Sequence, residues 1–476
     1  MIDLSKPLSE EDLETNEAKE IFRDFFGIFL GKNRGIEEKV EQLKVIYETP
    51  VAVAEQPRVE VIESVVQVEK KGDFLSEPGN GESSRIEIIE RPVIGRELNL
   101  HSITQYLQNN QVVGEEANGI LATLSLANGI HVILEGDSGS GKSYLMKTVL
   151  GLFDGVYEIG LSSEQAIWRQ ADEINGSKIL YVPELQKAVA DKKNKVSGMI
   201  EFLKSLGEGK DPTRKVTNSD RTGVDTYRIE AEGKVFATTI ATENDFKYDR
   251  ELQRRFLILE TDNSREHIDA IIRDKVSRRM IVGVGDDRAS LEASLSERIE
   301  HIRRAENIHV INPFLGYLET TFPRVNKTQA YLDHYLNLFE AIGKFFSPDR
   351  RKLEVDDKSY VVLNLEDVFN GFQMYHPHFL RTLRSFNGDV EFNQEEPNWA
   401  DCFRQGIYDI RLGEVGIRNG NQETLLREYP RIVDEWIYSQ IEGSCIYTPD
   451  YKTGEVIEIA DLAADKSRLL PAPTTY

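Results

Sequence analysis

Gly136-Asp137-Ser138-Gly139-Ser140-Gly141-Lys142-Ser143 is the stretch from which the rest of the chain can be read. Its spacing, glycine, four residues, then glycine, lysine and a hydroxyl, is that of a phosphate-binding P-loop. The apolar run Ile130-His131-Val132-Ile133-Leu134 precedes it and is of strand type. Tyr144-Leu145-Met146-Lys147-Thr148-Val149-Leu150 follows and reads as helix. Strand, glycine-rich loop and helix are the context in which this spacing carries meaning. The glycines let the backbone curl so that several N–H groups converge on one anion, and the helix N-terminus adds its partial positive charge. Residues 136–143 are therefore expected to hold ATP, with Lys142 on the β- and γ-phosphates and Ser143 on Mg²⁺.

Downstream, strand and helix patterns alternate. Val156-Tyr157-Glu158-Ile159 predicts a second strand, and Ser162 to Asp172 a helix with Ser163 as N-cap. Lys178-Ile179-Leu180-Tyr181-Val182 predicts a third strand. This rhythm implies a parallel sheet covered on both faces, an α/β fold of three αβα layers. Upstream, Val112-Val113-Gly114-Glu115-Glu116 leads into a predicted helix, Ala117 to Leu126, beside the nucleotide.

The third strand ends in Val182-Pro183-Glu184. An acid at the end of an apolar strand beside a P-loop polarises the attacking water, so Glu184 is the expected catalytic carboxylate and, with Ser143, belongs to the expected metal end. The position before it usually holds an aspartate that organises Mg²⁺. Pro183 stands there instead, which predicts weaker metal binding. Residues 196–211 read as a helix. Then Arg214 to Asn218 is extended, Ser219 to Gly223 has turn composition and Val224 to Ile229 alternates as a strand. Arg214, Lys215 and Arg221 make this hairpin basic in an acidic chain. Lys234 to Thr239 is the next strand, and Thr238 or Thr239 at its end is placed to sense a γ-phosphate. Arg254-Arg255-Phe256 then introduces a last apolar strand. An arginine here would project to the phosphate of a neighbouring subunit and stabilise transition-state charge.

In this order, P-loop, Val-Pro-Glu strand, basic hairpin, Thr-ended strand and Arg-Arg-Phe, the chain resembles AAA+ ATPases over residues 110–345. The hairpin before the Thr-ended strand is similar to the pre-sensor-1 hairpin of the helicase-type clade. The likeness extends to ATPases of mobile elements that accompany primases, through Val113 to Asn118, Asn312-Pro313-Phe314-Leu315-Gly316-Tyr317-Leu318 with Phe322-Pro323, and Tyr335 to Ile342. It implies ATP bound at subunit interfaces of a homo-oligomeric ring, most often a hexamer. It implies a pore lined by the hairpin through which DNA passes, Arg254 or Arg255 as the finger, and Thr239 as the first sensor. For the second sensor, only Arg324 and Lys327 are basic where an arginine-rich stretch is expected. With neither zinc-ribbon cysteines nor an acidic primase constellation, the chain is not expected to make primers.

The net charge of −23 argues against a surface coated in nucleic acid, although a basic channel is compatible with it. The N-terminus lacks a basic segment followed by an apolar one, no apolar run approaches a membrane span, and Cys402 and Cys445 have no metal-binding spacing. A cytoplasmic protein is expected. Residues 1–48 read as an acidic helical hairpin with Ile21, Phe22, Phe25, Phe26, Phe29 and Leu30 in an apolar stripe, suited to docking an effector protein. Residues 49–84 have linker composition, 85–263 form the expected AAA+ core, and 264–345 a helical lid. Residues 346–476 form a small α+β domain, with a helix over Val433 to Ile441 and a hairpin around Lys452-Thr453-Gly454. His376 and His378 are read as structural. Two functions are expected from this organisation: a ring ATPase that translocates, unwinds or remodels DNA, and an ATP-dependent scaffold or switch that recruits an effector in a defence or mobile-element system.

Overall fold

The computed structural model describes residues 98–160, 164–186, 198–217, 223–241, 254–280, 288–355, 357–387, 392, 396–419, 421–441, 444–463 and 469, together with the backbone of two short strands, β1 (Val66–Gln67) and β2 (Ile86–Ile89). The N-terminal hairpin, the strand-like segment 58–62, Ser163 and Arg221 lie outside the described residues. Residues 64–476 form one compact unit.

The chain enters through α1 (Leu100–Asn109), whose start carries a capping box: Asn99 Oδ1 accepts from Ser102 N at 3.0 Å and Ser102 Oγ from Asn99 N at 3.2 Å. Then come α2 (Glu116–Ala127), β3 (His131–Gly136) and α3 (Lys142–Leu150). β4 (Val156–Glu158), α4 (Glu164–Arg169), α5 (Ala171–Asn175), β5 (Ile179–Val182) and α6 (Gly198–Gly207) follow. The hairpin strands β6 (Thr213–Thr217) and β7 (Val224–Arg228) precede β8 (Val235–Ala241) and β9 (Phe256–Glu260).

β3, β4, β5, β8 and β9 form a five-stranded sheet in the order β4-β5-β8-β3-β9, every pairing parallel. Side chains alternate between its faces. Val132, Leu134, Ile179, Tyr181, Ala237 and Leu259 pack into one core with α2 and α3. Ile133, Leu180, Val182, Phe236 and Ile240 pack on the other side against Trp168, Ile174, Phe202 and Leu206 of α4, α5 and α6. The expected α/β architecture of a parallel sheet between helical layers is therefore present. α2 is apolar around its circumference and buried along almost its whole length, as such a helix must be.

Beyond β9 the chain forms α7 (Arg265–Met280), α8 (Arg288–Arg304), β10 (Ile308–Ile311), the short α9 (Leu315–Leu318), α10 (Thr328–Phe346), β11 (Lys352–Val355), β12 (Lys358–Val362) and α11 (Leu365–Asn387). A second five-stranded sheet has the order β1-β2-β11-β12-β10. β10 runs parallel to β12, and the remaining pairings are antiparallel. β1 lies within the residues read as a linker and β2 within those read with the nucleotide core, and both pair here, alongside segments distant in sequence. α12 (Trp399–Leu412), β13 (Gly416–Asn419), β14 (Gln422–Leu425), α13 (Pro430–Gln440), β15 (Cys445–Pro449) and β16 (Val456–Asp461) complete the described fold. β15 and β16 form the hairpin expected around residues 452–454.

α10 and α11 meet through aromatic rings packed mostly edge to face. Tyr335 is fully buried among Phe322, Phe339, Tyr375 and Phe379, with ring centroids 5.0–5.4 Å apart. His376 is buried against Phe372 at 4.1 Å, and burial pushes its imidazole down to about 4, so it packs as a neutral ring. Among the described residues no helix is long and apolar enough to cross a membrane.

The buried ion pair between Arg350 and Asp367 fastens β11 to the start of α11. Both guanidinium nitrogens donate to the carboxylate, which also accepts from Asn364 N at 2.9 Å. Arg350 also lies 4.6 Å over the Phe346 ring. Removing one partner strands a buried charge. Asp367→Ala is expected to cost about 3–5 kcal/mol of stability, measured as a lower midpoint in urea unfolding.

Candidate functional site

The glycine-rich loop of residues 136–143 connects the end of β3 to the start of α3. Gly139 and Gly141 have φ of 83° and 84°, a left-handed conformation that only glycine adopts without strain. No side chain caps α3, which leaves the first N–H groups of that helix facing the loop, as anion binding requires. The Lys142 ammonium lies over the loop, donating to the Asp137 carbonyl and to Ser140 Oγ at 3.2 Å. Ser143 is exposed at the helix start.

Residues from the next strands hold this loop. Ser140 Oγ and Thr261 Oγ1 are 2.8 Å apart, and Asn263 Nδ2 donates to Asp137 Oδ2 at 2.9 Å. A Cβ on Gly136 would come 1.9 Å from Thr261 Oγ1, so the first loop glycine is needed for this approach. Thr261 and Asn263 were not anticipated from sequence. The available signal was their position, polar residues just past an apolar strand parallel to the P-loop strand.

Glu184 and Thr239 arrive at the same edge. A cavity of about 270 Å³ is lined by Ser138, Gly139, Lys142, Ser143, Glu184 and Thr239, with Gln186 among its remaining walls. Thr239 is 1% exposed, and its Oγ1 accepts from Glu184 N at 3.1 Å. Thr238 points to the opposite face and donates to the Val182 carbonyl at 2.6 Å. The open choice between the two threonines thus falls to Thr239 on geometry. Glu184 itself has φ of 50°, a left-handed backbone that costs a non-glycine residue of order 1 kcal/mol or more and that concentrates at functional sites.

The other anticipated residues lie apart from this cavity. His131 at the start of β3 is in register with Phe256, which places Arg254 and Arg255 at the opposite edge of the sheet from the P-loop. The length of β3 alone separates the edges by about 17 Å. Arg255 is tied within its own chain, donating to the Lys204 carbonyl and to Glu208 Oε1 at 2.5 Å. Arg254 is exposed, and its carbonyl stands 3.0 Å from His334 Nε2. In the hairpin, Lys215 is exposed and Arg214 half-buried. The hairpin base is closed by Arg228, whose guanidinium donates to Asp211. Arg324 pairs with Glu319 on the surface at 2.9 Å, and Lys327 precedes α10 with φ of 73°.

The donors at the cavity fit Mg²⁺. Ser143 and Glu184 offer oxygens and Gln186 an amide oxygen beside its NH₂, and oxygen ligands suit a hard cation. Among the described residues no group of three His, Cys, Asp or Glu side chains could cage a metal. Mg²⁺ takes few protein ligands and completes its shell with water and phosphate oxygens, so a cage is not needed.

A buried acid braces the site from behind. Glu115, 6% exposed, accepts from Asn118 Nδ2 at 2.6 Å and from Asp262 N at 2.9 Å, joining the start of α2 to the turn after β9. His267 Nε2 stands 3.6 Å away. Burial pushes the Glu115 carboxyl up to about 7, against the opposing pull of those two hydrogen bonds. A scan against family models finds no match to this chain, and a search among curated proteins finds no similar sequence.

Because Glu115 holds its proton more tightly when folded, its contribution favours the fold below about pH 4.5 and is lost as pH rises through about 7. Glu115→Gln, which mimics the protonated acid, is expected to raise Tm relative to wild type at pH 8 and to leave it nearly unchanged at pH 4.5. Thermal unfolding of both proteins across this range checks the sign.

Proposed function

We propose that the protein is an AAA+ ATPase of the helicase type, with a P-loop core and helical lid, that assembles into a ring and couples ATP turnover to movement or remodelling of DNA. The observation that carries this reading is the convergence of Lys142, Ser143, Glu184 and Thr239 on one cavity at the carboxyl edge of a parallel sheet, where nucleotides bind in such sheets. The loop N–H groups and Lys142 hold the triphosphate. Glu184 accepts a proton from the attacking water, and Thr239 positions Glu184 through its backbone N–H. Ser143, with Glu184 nearby, would hold Mg²⁺, which would supply positive charge to neutralise the phosphate oxygens.

The arginines support the ring. No arginine described above reaches the cavity from within the chain, and Arg254 stands exposed at the far edge. This arrangement supports a finger acting on a neighbouring copy, with Arg254 in that role and Arg255 as its structural anchor. The basic residues Arg214 and Lys215 favour DNA as the strand in the pore. Pro183 favours the alternative, a slow ATP-dependent scaffold, because a proline supplies no carboxylate to the metal end.

Mass photometry with and without ATP–Mg²⁺ and single-stranded DNA tests both readings. A ring that forms with ATP and captures DNA supports the motor. A ring indifferent to DNA supports the scaffold. Lys142→Ala is expected to lose nucleotide binding. Glu184→Gln is expected to retain binding and assembly while turnover falls by about 10²–10⁴. Arg254→Ala is expected to lose about 10³ or more in turnover with binding intact, whereas Arg255→Ala is expected to lower Tm. Steady-state ATPase assays, nucleotide titration and thermal unfolding distinguish these outcomes.

A further inference from the structure

α7 departs from the cavity edge of the sheet. Thr261 and Asn263, which hold the glycine-rich loop, immediately precede it. Ser264 Oγ accepts from His267 N at 3.2 Å and caps its start. His267 alone among the 16 residues of the helix is buried. On the side turned from His267, Ile268, Ile272, Val276 and Met280 are 49%, 54%, 53% and 78% exposed. Their four-residue spacing aligns them in one ridge of the helix surface, the kind that packs into the groove of a facing helix. The ridge spans about 18 Å at the helical rise per residue. Single exposed apolar residues are ordinary, but a contiguous apolar row marks an interaction surface.

The charges around the ridge indicate what covers it. Arg265, Arg273, Lys275 and Arg279 are exposed along α7 and have no ion-pair partner among the described residues. A nucleic acid could meet these cations but would leave the apolar ridge in water. At the amino edge of the sheet, near Arg254, acids are in the converse situation. Glu230 and Glu232 in the turn before β8, and Asp333 next to His334, are exposed without an ion-pair partner among the described residues. We infer that the α7 ridge seats a second copy of this chain, which brings its edge of Glu230, Glu232 and Asp333 against the cations of α7. The inference rests on the ring reading above and names the surface at which copies meet. Such a contact joins unlike surfaces, so it repeats from copy to copy and closes into a ring where the rotation allows. It also carries the neighbour's Arg254 towards the cavity edge from which α7 departs. Burial of the ridge supplies affinity, and the charges select which surface of the neighbour docks.

The test compares the full-length wild type with Ile272→Glu and Val276→Glu by sedimentation velocity in ATP–Mg²⁺ over a range of protein concentrations. Each variant is expected to raise the concentration at which half of the chains are assembled about 10-fold or more. Tm and the affinity for a fluorescent methylanthraniloyl-ADP are expected to stay at wild-type values, which separates lost docking from lost folding. Ser277→Glu, on the same exposed helix but off the ridge, is expected to assemble as the wild type does. A photoreactive benzoylphenylalanine in place of Val276 is expected to crosslink to a second chain near Glu232 or Asp333. Wild-type assembly of both ridge variants, equal loss in Ser277→Glu, or crosslinks that reach only the same chain or added single-stranded DNA overturn the inference and leave the ring reading standing. A wild type that stays monomeric with ATP–Mg²⁺ at every concentration overturns the ring reading and this inference together.

Discussion

The arrangement of the site depends on the pairing of β3 with β8 on one side and β9 on the other, both parallel. Parallel pairing forces the carboxyl ends of all three strands to one edge of the sheet. The P-loop leaves β3 there, Thr239 lies near the end of β8, and Thr261 follows β9. Because β8 separates β3 from β5, the hydroxyl of Thr239 falls between the glycine-rich loop and Glu184, and there it holds the Glu184 backbone. The same rule sends the starts of the strands, with Arg254 and Arg255, to the opposite edge. An arginine on that edge can act on a phosphate only in another molecule.

The sheet is held in turn by α2, which lies between it and the helices that follow. Small residues along α2 allow close approach; a Cβ on Gly119 would come 2.3 Å from Leu107 Cδ1. Asn118 on α2 donates to the Glu260 carbonyl at 2.7 Å, and Arg381 on α11 pairs with the Glu260 side chain. The end of β9 is therefore gripped by an element from before the P-loop and by one from more than a hundred residues after it. The second sheet extends the same logic, since β2 joins β11 across most of the chain. Residues 64–476 consequently cluster as one compact unit.

Much of this was legible locally. The glycine spacing, the strand before it and the helix after it required only neighbouring residues, and β3, α3, β5, β8 and β9 fall where the apolar runs predicted them. The hairpin of β6 and β7 was legible from alternation and turn composition. The predicted helix over Ser162 to Asp172 instead breaks into α4 and α5, since periodicity records an apolar face but not where a short helix ends. Thr261, Asn263 and Gln186 were not legible as site residues. Each is an ordinary strand-end or core residue in sequence, and its role exists only through what stands across from it.

The amino-acid sequence by itself determined the glycine-rich loop between β3 and α3, the acid after β5, the proline beside that acid and the parallel α/β rhythm. Those features rest on interactions within a few residues: glycine conformations, hydrophobic period and helix-terminal N–H groups. Only the tertiary structure decided that Thr239 rather than Thr238 meets the cavity, that Arg255 is anchored while Arg254 is exposed, and that Gln186 lines the cavity beside Ser143. These outcomes depend on strand order, on which face a side chain takes, and on packing between segments far apart in the chain. Such long-range terms leave no mark in any local stretch of residues.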